Sequence, residues 1–91
     1  MEHKDHAAIE KELESAHAKV KVGSTYRHHK DPTKLYRVTG IAVQEATDKI
    51  CVIYRAEYNS KLVFVRDLDS WLEEPLTGTP RFRLVKQHEN I

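Results

Sequence analysis

Residues 35–43 read LYRVTGIAV, and this alternation is the strongest indicator of fold class in the chain. Successive side chains of a β-strand point to opposite faces, so every second residue from Tyr36 to Ala42 shares one face and the residues between share the other. Apolar residues lie on both faces, which predicts a central, strongly bent strand. Gly40 lies near the middle, where a bulge or corner is expected.

The same period of two predicts four more strands, at residues 24–29, 50–58, 62–66 and 81–85. Residues 59–60, Asn-Ser, are predicted to form a two-residue hairpin loop, because Asn tolerates a positive φ angle. Asp67 is predicted to cap a short helical turn that carries Leu68, Trp71 and Leu72 onto the core.

Five short strands in a meander, with a helical turn before the last, predict a mainly β protein. The order matches a small SH3-like five-stranded barrel, an architecture that removes most sheet edges by curling the sheet on itself. The length of 91 residues allows one compact domain. The predicted boundaries are an N-terminal helix at 1–22, the SH3-like β-barrel domain at 23–85 and a C-terminal tail at 86–91.

Residues 5–20 predict an amphipathic α-helix ahead of the strands. Apolar residues from Ile9 to Val20 recur at spacings of four, three and four, which places a narrow apolar stripe along one side. Asp5 is the expected N-cap and Gly23 the expected stop. A helix of this length is marginal alone in water. We therefore expect it to dock on the β domain, to pair with its copy in a homodimer, or to fray.

Charge is unevenly distributed along the chain. The net charge of +1 argues against a general nucleic-acid binder. Residues 1–18 carry two lysines against five acidic residues, a net of −3, whereas residues 19–37 carry six basic residues against one aspartate, a net of +5. A local basic segment of this kind is either a solvated strand face or part of a site for an anionic partner.

Cys51 is the single cysteine, so it forms no disulfide within the chain. It lies in an apolar run and is expected to be a buried free thiol, which fits a reducing compartment. The sequence has neither the pattern of a signal peptide nor an apolar run approaching 18 residues. These features predict a cytoplasmic protein without a membrane contact.

Aromatic and cationic residues alternate in the segment YRHHK, residues 26–30. An arginine offers a planar fork for a carboxylate or phosphate, and an aromatic ring offers a flat apolar face. A curled sheet is expected to bring two later arginines close to this segment. The residues predicted to line a ligand-binding surface are Tyr26, Arg27, His28, Tyr36, Phe64, Arg66 and Arg81. The alternative is a purely structural arrangement, with Tyr26 and Phe82 in the core, Arg66 paired with Glu57 or Asp67, and His28 capping a turn.

The chemistry of metal sites and of catalysis is weakly represented. The six histidines are His3, His6, His17, His28, His29 and His88, and no cysteine or carboxylate accompanies them at ligand spacing. We therefore expect neither a metal nor a cofactor. No Gly-rich phosphate loop and no nucleophile elbow occurs in the sequence. A histidine of residues 28–29 with Glu57 is the one acid–base pair that folding could assemble.

Residues 23–85 resemble a small bacterial family catalogued as domain of unknown function 1653. The blocks that carry the resemblance are Tyr26-Arg27-His28-x-Lys30, Tyr36-x-Val38, Val52-x-Tyr54, Val65-Arg66 and Pro80-Arg81-Phe82. The chain departs from the family pattern with Asp31-Pro32 in place of a glycine, Phe64 in place of a tryptophan and Asp67 in place of a proline. The resemblance implies the fold and the location of the site, and it implies no activity.

These observations predict a non-catalytic cytosolic binding module that recognises a peptide, a protein or an anionic ligand. Three or four phosphate contacts would give only weak, salt-dependent binding to single strands, with a slope of about −2 to −3. A weak single-stranded nucleic-acid binder that uses the same face is therefore the first alternative. A small enzyme of unknown reaction is the second.

Overall fold

The computed structural model describes residues 4–86 of this chain. Helix α1 runs from His6 to Lys19, and the carboxylate of its N-cap Asp5 accepts a hydrogen bond from the Ala7 amide at 3.2 Å. This confirms the predicted helix and its cap. Among residues 4–86, no helix combines the length and the apolar character needed to cross a membrane.

Helix α1 lies against strands of its own chain. Ala16 and Val20 are completely buried, and the helix contacts the second and third strands. The amide of Lys4 donates a hydrogen bond to the Asp48 carboxylate at 2.7 Å, which ties the start of the helical segment to the turn between those strands. The structure thus shows docking, one of the three expected arrangements. A homodimer through this helix stays a prediction.

Five antiparallel strands form one sheet, and this confirms the mainly β prediction. They are β1 Thr25–His28, β2 Leu35–Gln44, β3 Lys49–Ala56, β4 Val63–Asp67 and β5 Phe82–Leu84. Their order across the sheet is β4-β3-β2-β1-β5. The pairing of β2 with β3 shifts register between Val38 and Gly40, which is the predicted bulge.

The sheet is not closed into a barrel by hydrogen bonds among residues 4–86, since β4 and β5 form its two edges. The predicted SH3-like barrel is therefore not confirmed, although the five strands and the order of elements along the chain agree with it. Helix α2, Leu68–Trp71, lies between β4 and β5 in the sequence, where a helical turn was expected.

Two local predictions need correction. The β3–β4 connection spans residues 57–62, longer than a two-residue loop, and Asn59 does not have a positive φ; its side chain instead accepts a hydrogen bond from the Lys61 amide at 3.1 Å. Asp67 does not cap α2 with its side chain. Its carboxylate lies 3.6 Å from the Sγ of Cys51 and 3.6 Å from the Nζ of Lys49. The carboxylate is turned toward β3 and is not available to the amides of α2.

The core combines one face of the sheet with both helices. Its buried residues are Val20, Tyr26, Val38, Val52, Tyr54, Trp71 and Phe82. The rings of Trp71 and Phe82 stack with centroids 3.7 Å apart and planes 5° apart. Helix α2 is therefore held to β5 by an aromatic stack, and its Ser70 contacts Arg66 of β4.

Candidate functional site

An open hollow of about 210 Å³ borders the aromatic part of the core. Its lining residues come from all five strands and are His28, Tyr36, Tyr54, Phe64, Arg66 and Phe82. Antiparallel register brings them together, because Tyr54 lies opposite Phe64 and His28 lies opposite Phe82. Residues opposite each other in such a pair point to the same face of the sheet. We call this hollow the aromatic pocket.

Aromatic rings form the floor and the rim of the pocket. Phe82 is only 6% exposed and packs edge-on against the rings of His28 and Tyr54, with centroids 5.0 and 5.4 Å away. Phe64, on the edge strand β4, is 36% exposed and lies 5.5 Å from Tyr54. The floor is thus rigid and buried, whereas the rim offers an exposed ring to a partner.

Arg66 is held in place across the floor. Its guanidinium carbon lies 5.5 Å from the centroid of the Phe82 ring, a cation–π distance. Its Nε donates to the Tyr54 hydroxyl at 3.3 Å, and its Nη1 donates to the Ser70 hydroxyl at 3.0 Å. Acceptors within residues 4–86 thus use two of the five N–H groups of this side chain. The fork is oriented before any ligand arrives, and N–H groups remain for an anion.

Helix α2 also holds Arg81. The Nε of Arg81 donates to the backbone carbonyl of Ser70 at 3.0 Å, and its Nη2 lies 3.5 Å from the Glu73 carboxylate. Ser70 therefore contacts one arginine through its hydroxyl and the other through its carbonyl. Arg81 does not line the pocket but adds positive charge behind Arg66.

His28 is neutral at neutral pH. Burial, His29 and the nearby arginines lower its pKa below the ordinary value of 6.5. Its Nδ1 accepts a hydrogen bond from the Lys30 amide at 3.1 Å. The proton of the neutral ring is therefore on Nε2, which makes that nitrogen a hydrogen-bond donor.

Tyr36 is also uncharged. Burial and a 3.4 Å hydrogen bond with the Tyr58 hydroxyl raise the pKa of Tyr36 to about 12. The pocket consequently combines neutral rings and hydroxyls with the positive charge of Arg66. This arrangement suits an apolar or flat group that carries a negative charge beside it.

The structure brings four of the seven predicted residues into the pocket, namely His28, Tyr36, Phe64 and Arg66. Arg81 lies next to them through Ser70. Tyr26 does not line the surface: it is 5% exposed, packs edge-on against Trp71 and accepts a hydrogen bond from the Lys21 amide at 2.9 Å. Tyr26 therefore belongs to the core, which agrees with the alternative prediction of a purely structural role for this residue.

Arg27 lies on the other side of β1, because neighbouring residues of a strand point to opposite faces. Its Nη1 donates to the Pro32 carbonyl at 2.8 Å. It lines a separate, smaller hollow of about 110 Å³ together with Pro80 and Arg83. Arg27 and Arg66 therefore do not act on one ligand group in the pocket.

The carboxylates expected near the site have other partners. Glu57 lies 3.2 Å from Arg37 and 3.7 Å from Arg55, so it is committed to neither His28 nor Arg66. The part of the chain that the structure describes holds no group of three or more His, Cys, Asp or Glu residues placed to share a metal ion. His3 and His88 lie outside the described residues.

Sequence reasoning missed three residues of the site. The sequence pattern predicts only a strand position for Tyr54, although its alternation with Val52 indicates that it faces inward. For Phe82 the sequence predicts only a core position, and the structure shows that this residue is both core and pocket floor. Ser70 has no signal in the sequence, because its role depends on where α2 packs.

A model of the family described as "Protein of unknown function (DUF1653)" matches residues 24–84. The chain belongs to this family. Comparison with curated proteins and with solved structures gave no match. All five of the blocks that carry the resemblance to DUF1653 meet at the pocket, since they contain in turn His28, Tyr36, Tyr54, Arg66 and Phe82.

Proposed function

We propose that this protein is a non-catalytic binding module that recognises a protein or peptide through the aromatic pocket. The rings contact an apolar or flat side chain of the partner, and Arg66 donates hydrogen bonds to an adjacent carboxylate or other anionic group. The preorganised guanidinium of Arg66, held by Tyr54, Ser70 and Phe82 with N–H groups remaining for a ligand, is the observation that supports this most.

The size of the pocket favours a side chain of a larger partner over a free small molecule. Small-molecule sites in proteins enclose roughly 300–1,000 Å³. The aromatic pocket, at about 210 Å³, is smaller and open, so it encloses one side chain at most. A partner that continues beyond the pocket supplies the remaining contact area.

The exposed ring of Phe64 beside Arg66 also favours a second candidate, a weak binder of single-stranded nucleic acid. A base stacked on Phe64 would contribute roughly 1–3 kcal/mol. Two phosphate contacts would give a salt slope of only about −1.4 on a single strand. Such binding would be weak at physiological salt, so the peptide is the preferred ligand.

The proposal includes a bacterial, cytoplasmic setting and an SH3-like barrel. The buried, unpaired thiol of Cys51 supports a reducing compartment. The family resemblance supports the bacterial origin. The order of strands and the position of α2 between β4 and β5 support the barrel.

The test is selection of peptides from a random displayed library, followed by titration of the selected peptides against three proteins. These are the native protein, Arg66→Gln and the matched control Arg27→Gln, whose side chain lies in the neighbouring hollow. We expect Arg66→Gln to weaken binding about tenfold or more, because a charge-assisted bidentate contact is lost, and Arg27→Gln to change it less than about threefold. Equal affinity of all three folded proteins would refute the proposed site. A mixed-sequence oligonucleotide, titrated at low and moderate salt, tests the second candidate.

A further inference from the structure

Strand β4 leaves an apolar edge open to solvent. Val63 is 56% exposed and Val65 is 65% exposed, on a strand that has no neighbour on its outer side within residues 4–86. The other edge strand, β5, has only three residues and carries an exposed Arg83 at its centre. Proteins discourage strand pairing by making edge strands short and by placing charged side chains on them. Strand β4 is longer than β5, and its first three residues carry no charge.

The backbone of β4 has its outward-facing hydrogen-bonding groups at defined positions. The Ala56 amide donates to the Leu62 carbonyl at 3.0 Å, so residues 56 and 62 form a hydrogen-bonded pair. Antiparallel pairs alternate, so Phe64 and Arg66 also bond inward to β3. The amide and carbonyl groups of Val63 and Val65 therefore point away from the sheet, toward the open edge.

We propose that this edge binds an extended segment of a partner protein as an antiparallel sixth strand, with an acidic residue of that segment opposite Arg66. This rests on the proposed function, because the same pocket takes part, and it adds the binding mode and the chemistry of the partner. Main-chain bonds to Val63 and Val65 hold the segment, and side-chain contacts select it.

The register defines which side chains the segment needs. Residues opposite Phe64 and Arg66 point to the pocket side, and those opposite Val63 and Val65 point to the other side. An aromatic residue opposite Phe64 lies over the pocket rim, and branched apolar residues cover the two exposed valines. In the antiparallel direction the segment is therefore Glu-Val-Tyr-Val or a close relative.

Charge excludes a second copy of β4 as the preferred occupant. In an antiparallel pair of two β4 edges, residues 63, 65 and 67 can lie opposite only one another, because their backbone groups make the bonds. Arg66 would then face Leu62, Phe64 or Arg66 of the copy and never the acidic Asp67. A second copy thus offers no anion to the N–H groups of Arg66, whereas an acidic peptide does.

The test uses a labelled octapeptide, acetyl-Ser-Thr-Glu-Val-Tyr-Val-Thr-Ser-amide, measured by fluorescence anisotropy. N-methylation of the first valine removes the amide that bonds to the carbonyl of Val65. N-methylation of the tyrosine alters an amide that points away from β4 and is the matched control. We expect the first change to weaken binding about tenfold or more and the second less than about threefold.

A protein variant tests the edge from the other side. Val65→Pro removes only an outward amide, which an edge strand tolerates, and Val65→Thr keeps that amide. We expect Val65→Pro to weaken binding of the octapeptide about tenfold relative to Val65→Thr, with the emission of Trp71 confirming that both are folded. If the proline variant does not fold, the two methylated peptides decide the matter.

The outcomes separate this inference from the proposed function. If both methylated peptides bind equally while Arg66→Gln still weakens binding, the pocket stands and strand addition is overturned. If the methylation pattern is as expected but Arg66→Gln has no effect, strand addition at β4 is supported, whereas the pocket proposal and the acidic residue opposite Arg66 are overturned. Absence of binding at about 1 mM octapeptide, or sedimentation showing that two copies pair through β4, overturns the inference.

Discussion

The stack of Phe82 on Trp71 links the fold to the pocket, and replacing Phe82 by alanine should reveal its importance. Phe82 is 6% exposed, stacks on Trp71 at 3.7 Å and packs edge-on against Tyr54 at 5.4 Å. Truncation of a ring buried to this extent typically costs about 3–5 kcal/mol, which includes the cavity that remains. This is a large share of the roughly 5–14 kcal/mol expected for the unfolding free energy of 91 residues.

The assay is equilibrium unfolding in urea. Trp71 is the single tryptophan, so the fluorescence of the protein reports directly on the ring that stacks on Phe82. Phe82→Leu is the graded comparison, because it keeps most of the apolar volume but loses the ring contacts. We expect it to lower the free energy of unfolding by about 1–2 kcal/mol. Leu76→Ala is the surface control, since Leu76 is 63% exposed, and it should change stability by less than about 0.5 kcal/mol.

A cost for Phe82→Ala below about 1.5 kcal/mol, equal to that of Phe82→Leu, would contradict this reasoning. It would mean that the ring of Phe82 is not packed between α2 and the sheet. The slope of the unfolding transition should be unchanged in all variants, because a changed slope would indicate a different unfolded state or a loss of two-state behaviour.

Three further predictions concern the helix, the thiol and the pH dependence. Ala16→Glu places a charge where α1 is fully buried, so it should lower the free energy of unfolding in urea by roughly 2–4 kcal/mol. Ala18→Glu, on the exposed side of the helix, should lower it by less than about 0.5 kcal/mol. Equal effects of the two substitutions would mean that α1 does not dock. Burial and the neighbouring carboxylate of Asp67 raise the pKa of the Cys51 thiol. Iodoacetamide should therefore alkylate this thiol at least about tenfold more slowly in the native protein than in the urea-unfolded protein. Comparable rates would place the thiol at the surface. The pKa of His28 is lowered, so the stabilisation from its neutral form is complete above pH 6.5 and is lost as the pH falls below that value. The native protein should therefore lose more stability than His28→Gln between pH 7.5 and 5.5, and identical losses would show that His28 is not the group responsible.

Local structure was predictable where one periodicity dominated. The bulge at Gly40 and the helix capped by Asp5 follow from patterns within a few residues. The prediction of a two-residue loop at Asn59 was wrong, because the side chain of Asn59 accepts a hydrogen bond from the Lys61 amide within a longer connection. The prediction that Asp67 caps α2 was wrong, because its carboxylate contacts Cys51 and Lys49 of β3. Asn59 had two local options, which the composition of the segment does not rank, whereas the partners of Asp67 lie 16 and 18 residues away in the sequence.

The candidate site was predictable in part. An alternating strand places His28 with Tyr26 and opposite to Arg27, so the segment YRHHK could not supply one surface from consecutive residues. That Tyr26 is buried and His28 reaches the pocket depends on where α1 and α2 cover the sheet. Ser70, which contacts both Arg66 and Arg81, became identifiable only through those contacts.

The order and type of the helices and strands in this protein follow from its amino-acid pattern, because the spacing of apolar residues reflects the geometry of each local segment. The aromatic pocket, the fixed fork of Arg66 and the open edge of β4 do not. They arise from strand register and from the aromatic stack that holds α2, which are contacts between residues far apart in the chain. Such contacts depend on how the elements pack together, and no local pattern specifies that packing.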